Sequence, residues 1–527
     1  MRGDKMANTM SKYGSNTNRP LSEIVGLSTD TKPTDSIEGI KIQNGSSFRE
    51  LDTGKRFLFD GENTTWNEVS SGGGGGGSTL IEKSISANDV YNASEDSADG
   101  YSKVTVDVPN TYTAQDEGKV VSNGALVAQT AYPIEITENG TYDITNYNSI
   151  TINVSSSPSA NIVTREVDFV NNTKSLTGDI STHPVYTGMG RCNVADNGTI
   201  NAYYGDTGYT EDGSNGQVMV KVPKFYYKLD VSETGDLDGV NIRHGKWSIS
   251  DVPADGFTLH PAFLAADGVT ELDYFMYGAF DAVGQDSNGT YSSSYNTTTY
   301  KLGSVGGDTY TPIASLTRAT ARTMATNRGT GWYSAGIKQT MAVLMLFAVE
   351  YGFNSQLAVG WGVVSDSAAH KTGQTTGNAT SGTRDNKKTS VNWRGIENLW
   401  GNINKWIDGL NCNYRTPYVC DTFTFVDDTL RGYTQISFSL PSSNYITAFG
   451  YDSNNDWVLL PSETSSTANV DGPIGDSVGS NSAWRVTSFG GYWAYDSNAG
   501  AFYCSCYNDS SFASAYFSAR LMYIPQT

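Results

Sequence analysis

The sequence predicts a mainly β chain that ends in an α+β C-terminal domain. Three observations predict it. Only 17% of the 527 residues are charged, while Gly, Ser, Thr, Asn and Tyr are abundant, a composition suited to turns and pleated surface rather than to a helical enzyme. Apolar residues recur mostly with a period of two, as in one-sided strands. Helical signals are confined to two stretches, IASLTRATARTMATNR after Thr311-Pro312 and KQTMAVLMLFAVEYG from Lys338 to Gly352.

Taken in order, residues 1–70 read as an N-terminal β attachment module. Within it SFRELDTGKRFLFDGENTTWNEV gives two alternating stretches around Asp60-Gly61, a hairpin signal. Residues 71–79 are a glycine-rich linker: in SSGGGGGGS, Ser70 to Ser78, nothing can pack and no Cβ restrains the backbone. Residues 80–158 read as small connector modules. There Val104, Val106 and Val108 are echoed by Ile150, Ile152 and Val154, a weak internal repeat. Residues 159–527 form the main body. VMVKVPKFYYKLD alternates as a strand, with Pro223 placing it at an edge or bulge.

The first helix presents Leu316, Ala319, Ala321 and Met324 as an imperfect apolar stripe. The second is apolar all round and ends at Gly352, as a buried helix does. Both are assigned to packing, and no function is read into Arg318 or Glu350. GFNSQLAVGWGVV is strand or loop, Asp366 to Thr389 a polar surface excursion, and YTQISFSL and DWVLLPS the clearest later strands.

A net charge of −20 excludes nucleic acid as a partner, because phosphate recognition needs clustered cations. The opening MRGDKMANTMSKYG lacks the apolar run of a signal peptide. The longest apolar run, Met341 to Val349, falls far short of a membrane span, so no membrane insertion is expected. Five cysteines are no disulfide framework. Cys412 and Cys420 either meet across a turn or stay free, and Cys504 and Cys506 share one side of a strand. Four histidines without metal-ligand spacing leave the expected metals and cofactors as none.

The segment Trp393 to Tyr418, WRGIENLWGNINKWIDGLNCNYRTPY, stands with GQVMVKVPKFYY (Gly216 to Tyr227), LHPAF (Leu259 to Phe263) and the GGYWAYDSNAGAF…SARL ending. Together they resemble phage tail receptor-binding proteins with a C-type lectin domain of the formylglycine-generating-enzyme type. They also resemble the variable proteins of diversity-generating retroelements. The resemblance covers roughly Val163 to Thr527 and implies a C-type lectin-like fold preceded by small β modules. The modules themselves look like connector pieces of phage tails of Gram-positive bacteria. In the family, residues matching Leu399, Trp400, Gly401, Asn402, Trp406, Gly490, Gly491 and Trp493 belong to the scaffold; the competing reading makes Trp406 or Trp493 a ligand-stacking ring.

Variable members of this family mutate AAY codons to NNY, which encode Tyr, Ser, Asn, Asp, Cys, Phe, Ala and Gly but not Lys, Glu, Gln, Met or Trp. Tyr492 to Tyr516 obeys that restriction except at Trp493. A Ser- and Tyr-rich chain also reaches this composition by chance, and codons beside a template repeat decide between the two.

Alternation in AFYCSCY puts Phe502, Cys504 and Cys506 on a core face and Tyr503, Ser505 and Tyr507 outward. Flanking loops supply Tyr495, Asp496, Ser497 and Asn498 on one side and Asn508, Asp509, Ser510, Ser511 and Phe512 on the other. Tyr492, Ala513, Ser514 and Tyr516 extend the patch. Tyrosine gives rigid rings at low entropy cost, and serine and asparagine adapt around them. The bland reading is a Tyr/Ser-rich sheet edge in a trimer interface.

The resemblance therefore implies a receptor-binding protein of a virion tail, made in the bacterial cytoplasm without a signal peptide. Its expected partners are a bacterial cell-surface glycan or protein and other tail proteins, and its oligomer a homotrimer. Two alternatives stand beside it: a structural tail or baseplate adaptor, and a calcium-dependent carbohydrate-binding lectin. The lectin E-P-N, Q-P-D and W-N-D motifs are missing, although Asp452 to Asp456 offers oxygens. No enzyme is expected: the catalytic branch of this fold uses cysteines, and those in the display strand have no histidine near them in sequence. Asp427-Asp428 reads as solvated loop charge.

Overall fold

A computed structural model describes residues 160–526 except 296–298. Before residue 160 it describes 9–12, 22–26, 29, 31–37, 40–42, 46–50, 55–60, 64–69 and the strands between 81 and 154. The described residues are mostly strands, with few and mostly short helices. The chain divides into two compact units, Met1–Ser159 and Ala160–Thr527.

In the first unit five strands pair in the order Thr9–Lys12, Ser22–Gly26, Ser47–Glu50, Arg56–Asp60, Thr65–Val69. The last two form the expected hairpin, closing at Asp60 opposite Thr65. Gly61 and the glycine run 70–78 lie outside the described residues. Ile24, Phe48 and Phe59 are buried together, and the Trp66 ring lies 5.8 Å from Phe48 and 5.1 Å from Phe59. The repeat residues Val104 and Val106 fall in Tyr101–Val106, and Ile152 and Val154 in Thr151–Val154; Val108 and Ile150 lie outside the described residues. The two repeats exchange a strand: Gly140–Asp143 pairs with Tyr101–Val106, and Val90–Asn92 with Thr151–Val154.

In the second unit one sheet runs Thr173–Thr177, Ile162–Asp168, His244–Ser250, Tyr226–Asp230, Thr258–Leu259. Another runs Ile200–Tyr203, Gly190–Val194, Gln217–Pro223, Tyr274–Gly278, Leu521–Tyr523, Trp332–Ser334. Gln217–Pro223 is an inner strand, contrary to the edge expected from Pro223. The proline is tolerated because it is the last residue of the strand.

Helix α1 (Arg318–Thr326) begins later than its apolar pattern, where the Thr317 side chain accepts the Thr320 N–H as N-cap. Ala319 is exposed, and the buried face is Arg318, Ala321, Met324 and Ala325. A buried arginine is invisible to an apolar-stripe reading. Here the guanidinium of Arg318 donates to the carbonyls of Ile407 and Leu410 and to Asp427 and Asn411. Arg322 joins Asp408 at 2.6 Å and Asp427 at 2.9 Å. Asp427 is therefore part of a buried ion network and not a solvated loop charge. Helix α2 (Ile337–Tyr351) is buried almost throughout and stops at Gly352, whose φ is +89°. Its Glu350 holds Arg394 at 2.7 Å and the Trp393 indole N–H at 2.9 Å.

The sheet that carries the candidate site contains β1 (Asn404–Asn413), β2 (Thr416–Cys420), β3 (Tyr433–Gln435), β4 (Val478–Ser480), β5 (Trp484–Phe489), β6 (Cys504–Cys506) and β7 (Phe517–Ser518). Its order is β3-β2-β1-β5-β6-β4, with β7 pairing parallel to β1. Of YTQISFSL only β3 is strand. DWVLLPS is not the strand expected: Trp457 to Leu460 is buried without strand pairing, and a strand begins at Pro461. A continuous apolar run cannot by itself separate a strand from a packed connection. Cys412 is bonded to Cys506, tying β1 to β6, while Cys420 and Cys504 are free and buried. The turn pairing of Cys412 with Cys420 does not occur, because Cys412 sits opposite Pro417 in the β1–β2 register.

Candidate functional site

The geometry starts at two glycines. Gly490 and Gly491 have φ of +90° and +74°, and a Cβ at Gly491 would lie 2.5 Å from that of Ala499. Only glycine turns the chain this tightly. The turn brings Tyr492 and Tyr495 back over the end of β6. Below it, the carboxylate of Asp476 accepts the Phe502 N–H at 2.6 Å, and burial pushes that carboxyl up to about 7.

Most of the residues expected to belong to the scaffold are buried. Trp400, Asn402 and Trp406 are fully buried, and Leu399 nearly so. The indole of Trp406 donates to the Leu316 carbonyl at 2.8 Å, so it offers no open face to a ligand. Trp493 is half-buried and lies edge-on to Tyr492, 5.5 Å away.

From Trp406 a chain of rings runs outward. Phe517 stacks on Trp406 at 4.3 Å, Tyr516 lies 5.3 Å from Phe517, and Tyr492 stacks on Tyr516 at 4.7 Å and 23°. Tyr495 follows at 4.9 Å from Tyr492, and Tyr503 stands at right angles to Tyr495, 5.0 Å away. Offset and edge contacts of this kind contribute about 0.5–1.5 kcal/mol each beyond burial. The rings therefore hold one another in place without a bound partner.

Five of these rings, all but Trp406, line an open cavity of about 370 Å³, within the range of small-molecule sites. Eight of the sequence-predicted residues line it: Tyr492, Tyr495, Tyr503 and Tyr516 on one side, with Ser505, Tyr507, Asn508 and Phe512. Three further lining residues, Asn404, Gly479 and Phe517, were missed. Phe517 follows Tyr516 directly, and Asn404 shares a face of β1 with Trp406, two signals that were available. Gly479 enters through the parallel β4–β6 pairing opposite Ser505, which nothing local announces.

The outward assignment of Tyr503 and Ser505 is corrected. They are 4% and 5% exposed, whereas Tyr507 is 57% exposed. Alternation itself holds, since Tyr503, Ser505 and Tyr507 share the cavity lining while Phe502, Cys504 and Cys506 are in the core; the burial comes from elsewhere in the chain, the Tyr495 ring standing against Tyr503 and β4 pairing beside Ser505. The Tyr503 ring forms part of the cavity wall, and its hydroxyl donates to that of Tyr495 at 3.2 Å. Phe502, Cys504 and Cys506 are buried as expected.

The remaining predicted residues do not line the cavity. Asp496 pairs with Lys387, the Ser497 carbonyl accepts from Gln356 at 3.2 Å, and the Asn498 carbonyl accepts the Ser477 N–H at 3.1 Å. Asp509 accepts the Ser511 hydroxyl at 2.6 Å and its N–H at 3.0 Å, bonds that hold its carboxyl below the usual range. Ser510 donates to Asp428. The Ser514 carbonyl accepts from Ser315 at 3.0 Å, beside exposed Ala513.

No charged side chain lines the cavity. Burial raises the Tyr492 and Tyr503 hydroxyls above their ordinary range, so both stay protonated and neutral. The side-chain oxygen of Asn404, a residue 3% exposed, has no hydrogen-bond partner among the described residues. At Gly479 a Cβ would meet nothing closer than the Ser505 hydroxyl at 3.9 Å, so glycine leaves room open there.

No group of three or more His, Cys, Asp or Glu able to hold a metal occurs among the described residues. Within the Asp452–Asp456 stretch, Asp452 accepts the backbone N–H groups of Ser437 and Asn454, and Asp456 accepts the Tyr227 hydroxyl. Among the described residues no helix is long and apolar enough to cross a membrane.

No protein-family model matches the chain, and no curated protein matches its sequence. Among solved structures it is similar to the Major Tropism Determinant U1 variant at 11% identity, over 95% of this chain and 98% of that one, with a TM-score of 0.22. The P3c variant gives 11% over 95% and 98%, TM-score 0.23. The M1 variant gives 12% over 93% and 96%, TM-score 0.23. Superpositions this loose carry no argument about the fold or the site.

Proposed function

We propose that the chain is a receptor-binding protein of a virion tail, with a C-type lectin-like unit over residues 159–527 that grips the host cell surface through the tyrosine-lined cavity. One observation carries this reading: four separate stretches of chain converge to line a single concavity with five tyrosines, two phenylalanines and no charged side chain. Such a surface suits recognition, because rigid rings supply contact area while hydroxyls keep the empty site hydrated.

In this reading residues 1–70 attach to the particle, 71–79 link and 80–158 connect. The family resemblance supplies the trimer, whose several copies would turn weak contacts into avidity. Retroelement diversification of the Tyr492–Tyr516 stretch belongs to the same proposal, and the codons test it.

The experiment is adsorption of the full chain to a panel of fractionated bacterial envelopes, comparing the natural sequence with Gly479→Leu. Gly479 has ordinary backbone geometry, lines the cavity, and a Cβ added there meets nothing closer than 3.9 Å, so a leucine side chain can start from it into the cavity, and the melting temperature checks that the fold is kept. Loss of adsorption at an unchanged melting temperature supports the proposal; undiminished adsorption rejects it.

A further inference from the structure

Resting on that recognition reading, we infer that the cavity takes an uncharged pyranose ring of a glycan, packed on the tyrosine rings with a hydroxyl accepting from the Asn404 amide. Three observations on the cavity lead there.

The first is charge. A carboxylate or phosphate entering this cavity would lose water and find no cation on the lining, a costly exchange. The chain's net charge of −20 repels polyanions at longer range as well. Acidic sugars and phosphate-linked polymers are therefore disfavoured.

The second is the unpartnered side-chain amide of Asn404. It makes no hydrogen bond among the described residues, and its oxygen is sealed from water, which leaves the amide N–H groups as the part of this lining residue open to the cavity. A ligand hydroxyl can accept from them. The Ser505 hydroxyl and the Asn508 amide lie on the same lining, so several ring hydroxyls find partners at once. The stacked pair Tyr492 and Tyr516 supplies the flat apolar surface, whose electron-rich faces attract polarised C–H groups of a sugar ring.

The third observation removes the commonest way of binding an extended peptide, addition of a strand to a sheet edge. The edge strand beside the cavity is β4, and its outward N–H groups are already used. Val478 donates to the Asn444 carbonyl at 2.9 Å and Ser480 to that of Ser442 at 2.8 Å.

The test is titration of the full chain with N-acetylglucosamine, galactose, maltose and N,N′-diacetylchitobiose, with glucuronic acid and sialic acid as charged counterparts. Binding is read by saturation-transfer NMR on the sugar C–H protons. The expected result is saturation transfer to at least one neutral sugar, weakened roughly tenfold or more by Asn404→Ala, and none to the acids.

The melting temperature of Asn404→Ala separates binding from folding. Because its oxygen is unpaired, its removal leaves the unliganded fold about as stable as before. A fall in sugar binding together with unfolding is resolved by Gly479→Leu, which blocks the cavity from another strand. Envelope adsorption that is lost in Gly479→Leu but not competed by any neutral sugar, or is competed by the acids or a peptide, overturns the glycan inference and leaves the recognition reading standing. Adsorption unaffected by Gly479→Leu overturns both.

Discussion

Phe502 and Tyr503 are consecutive in sequence and belong to two different aromatic clusters. Phe502 packs against Phe353 at 5.2 Å, Phe449 at 5.6 Å and Phe347 at 6.1 Å, in the main core. Tyr503 packs against Tyr495 at the wall of an open cavity. The four phenylalanines of the first cluster are fully buried and carry no polar atom. The other cluster is led by tyrosines and leaves a concavity. Aromatic density alone therefore does not distinguish them; hydroxyls and unfilled space do.

The comparison can be broken most severely at Phe502. Replacing it with Ala should cost about 3–5 kcal/mol by the transfer and cavity terms, read as a large fall in denaturant midpoint. Next comes the bond between Cys412 and Cys506, which closes a separation of 94 residues. Removing it by Cys412→Ala with Cys506→Ala should cost about 2–5 kcal/mol and loosen β6 under both clusters.

Two buried carboxyls, Asp476 at the Phe502 N–H and Glu397 at the Gly373 and Thr375 N–H groups, make stability depend on pH in a defined direction. Burial raises the Asp476 carboxyl from 3.8 to about 7 and the Glu397 carboxyl from 4.5 to about 7. Between these limits the folded chain holds more protons than the unfolded chain. Their contribution is therefore complete below the unfolded values and is lost as pH rises through about 7. Denaturation across that window should show stability falling with rising pH, with a shallower fall in Asp476→Asn. The smallest effect on stability belongs to Tyr507→Ala. With 57% of the residue exposed, it should change unfolding by only about 0.5 kcal/mol or less, as thermal denaturation would show.

The sequence made the place of the tyrosine-lined cavity legible but not its shape. Tyr492, Tyr495, Tyr507, Phe512 and Tyr516 could be named because rings in a Ser- and Asn-rich stretch need a reason. Phe502 and the cysteines could be placed by alternation. The face of Tyr503 and Ser505 could be placed the same way but not their burial, because the Tyr495 ring and β4 that pack against them come from elsewhere in the chain. Gly479 and Asn404 come from strands brought together by non-local pairing. In the fold, α2 was readable from its unbroken apolar character, whereas the buried Arg318 face of α1 depended on acceptors more than 80 residues away.

The most direct measurement is the adsorption isotherm of Tyr492→Ala/Tyr507→Ala on a fractionated envelope that holds the natural chain. The account predicts affinity reduced roughly tenfold or more with the cooperative unfolding transition retained. Equal affinity for the folded variant and the natural chain would contradict it.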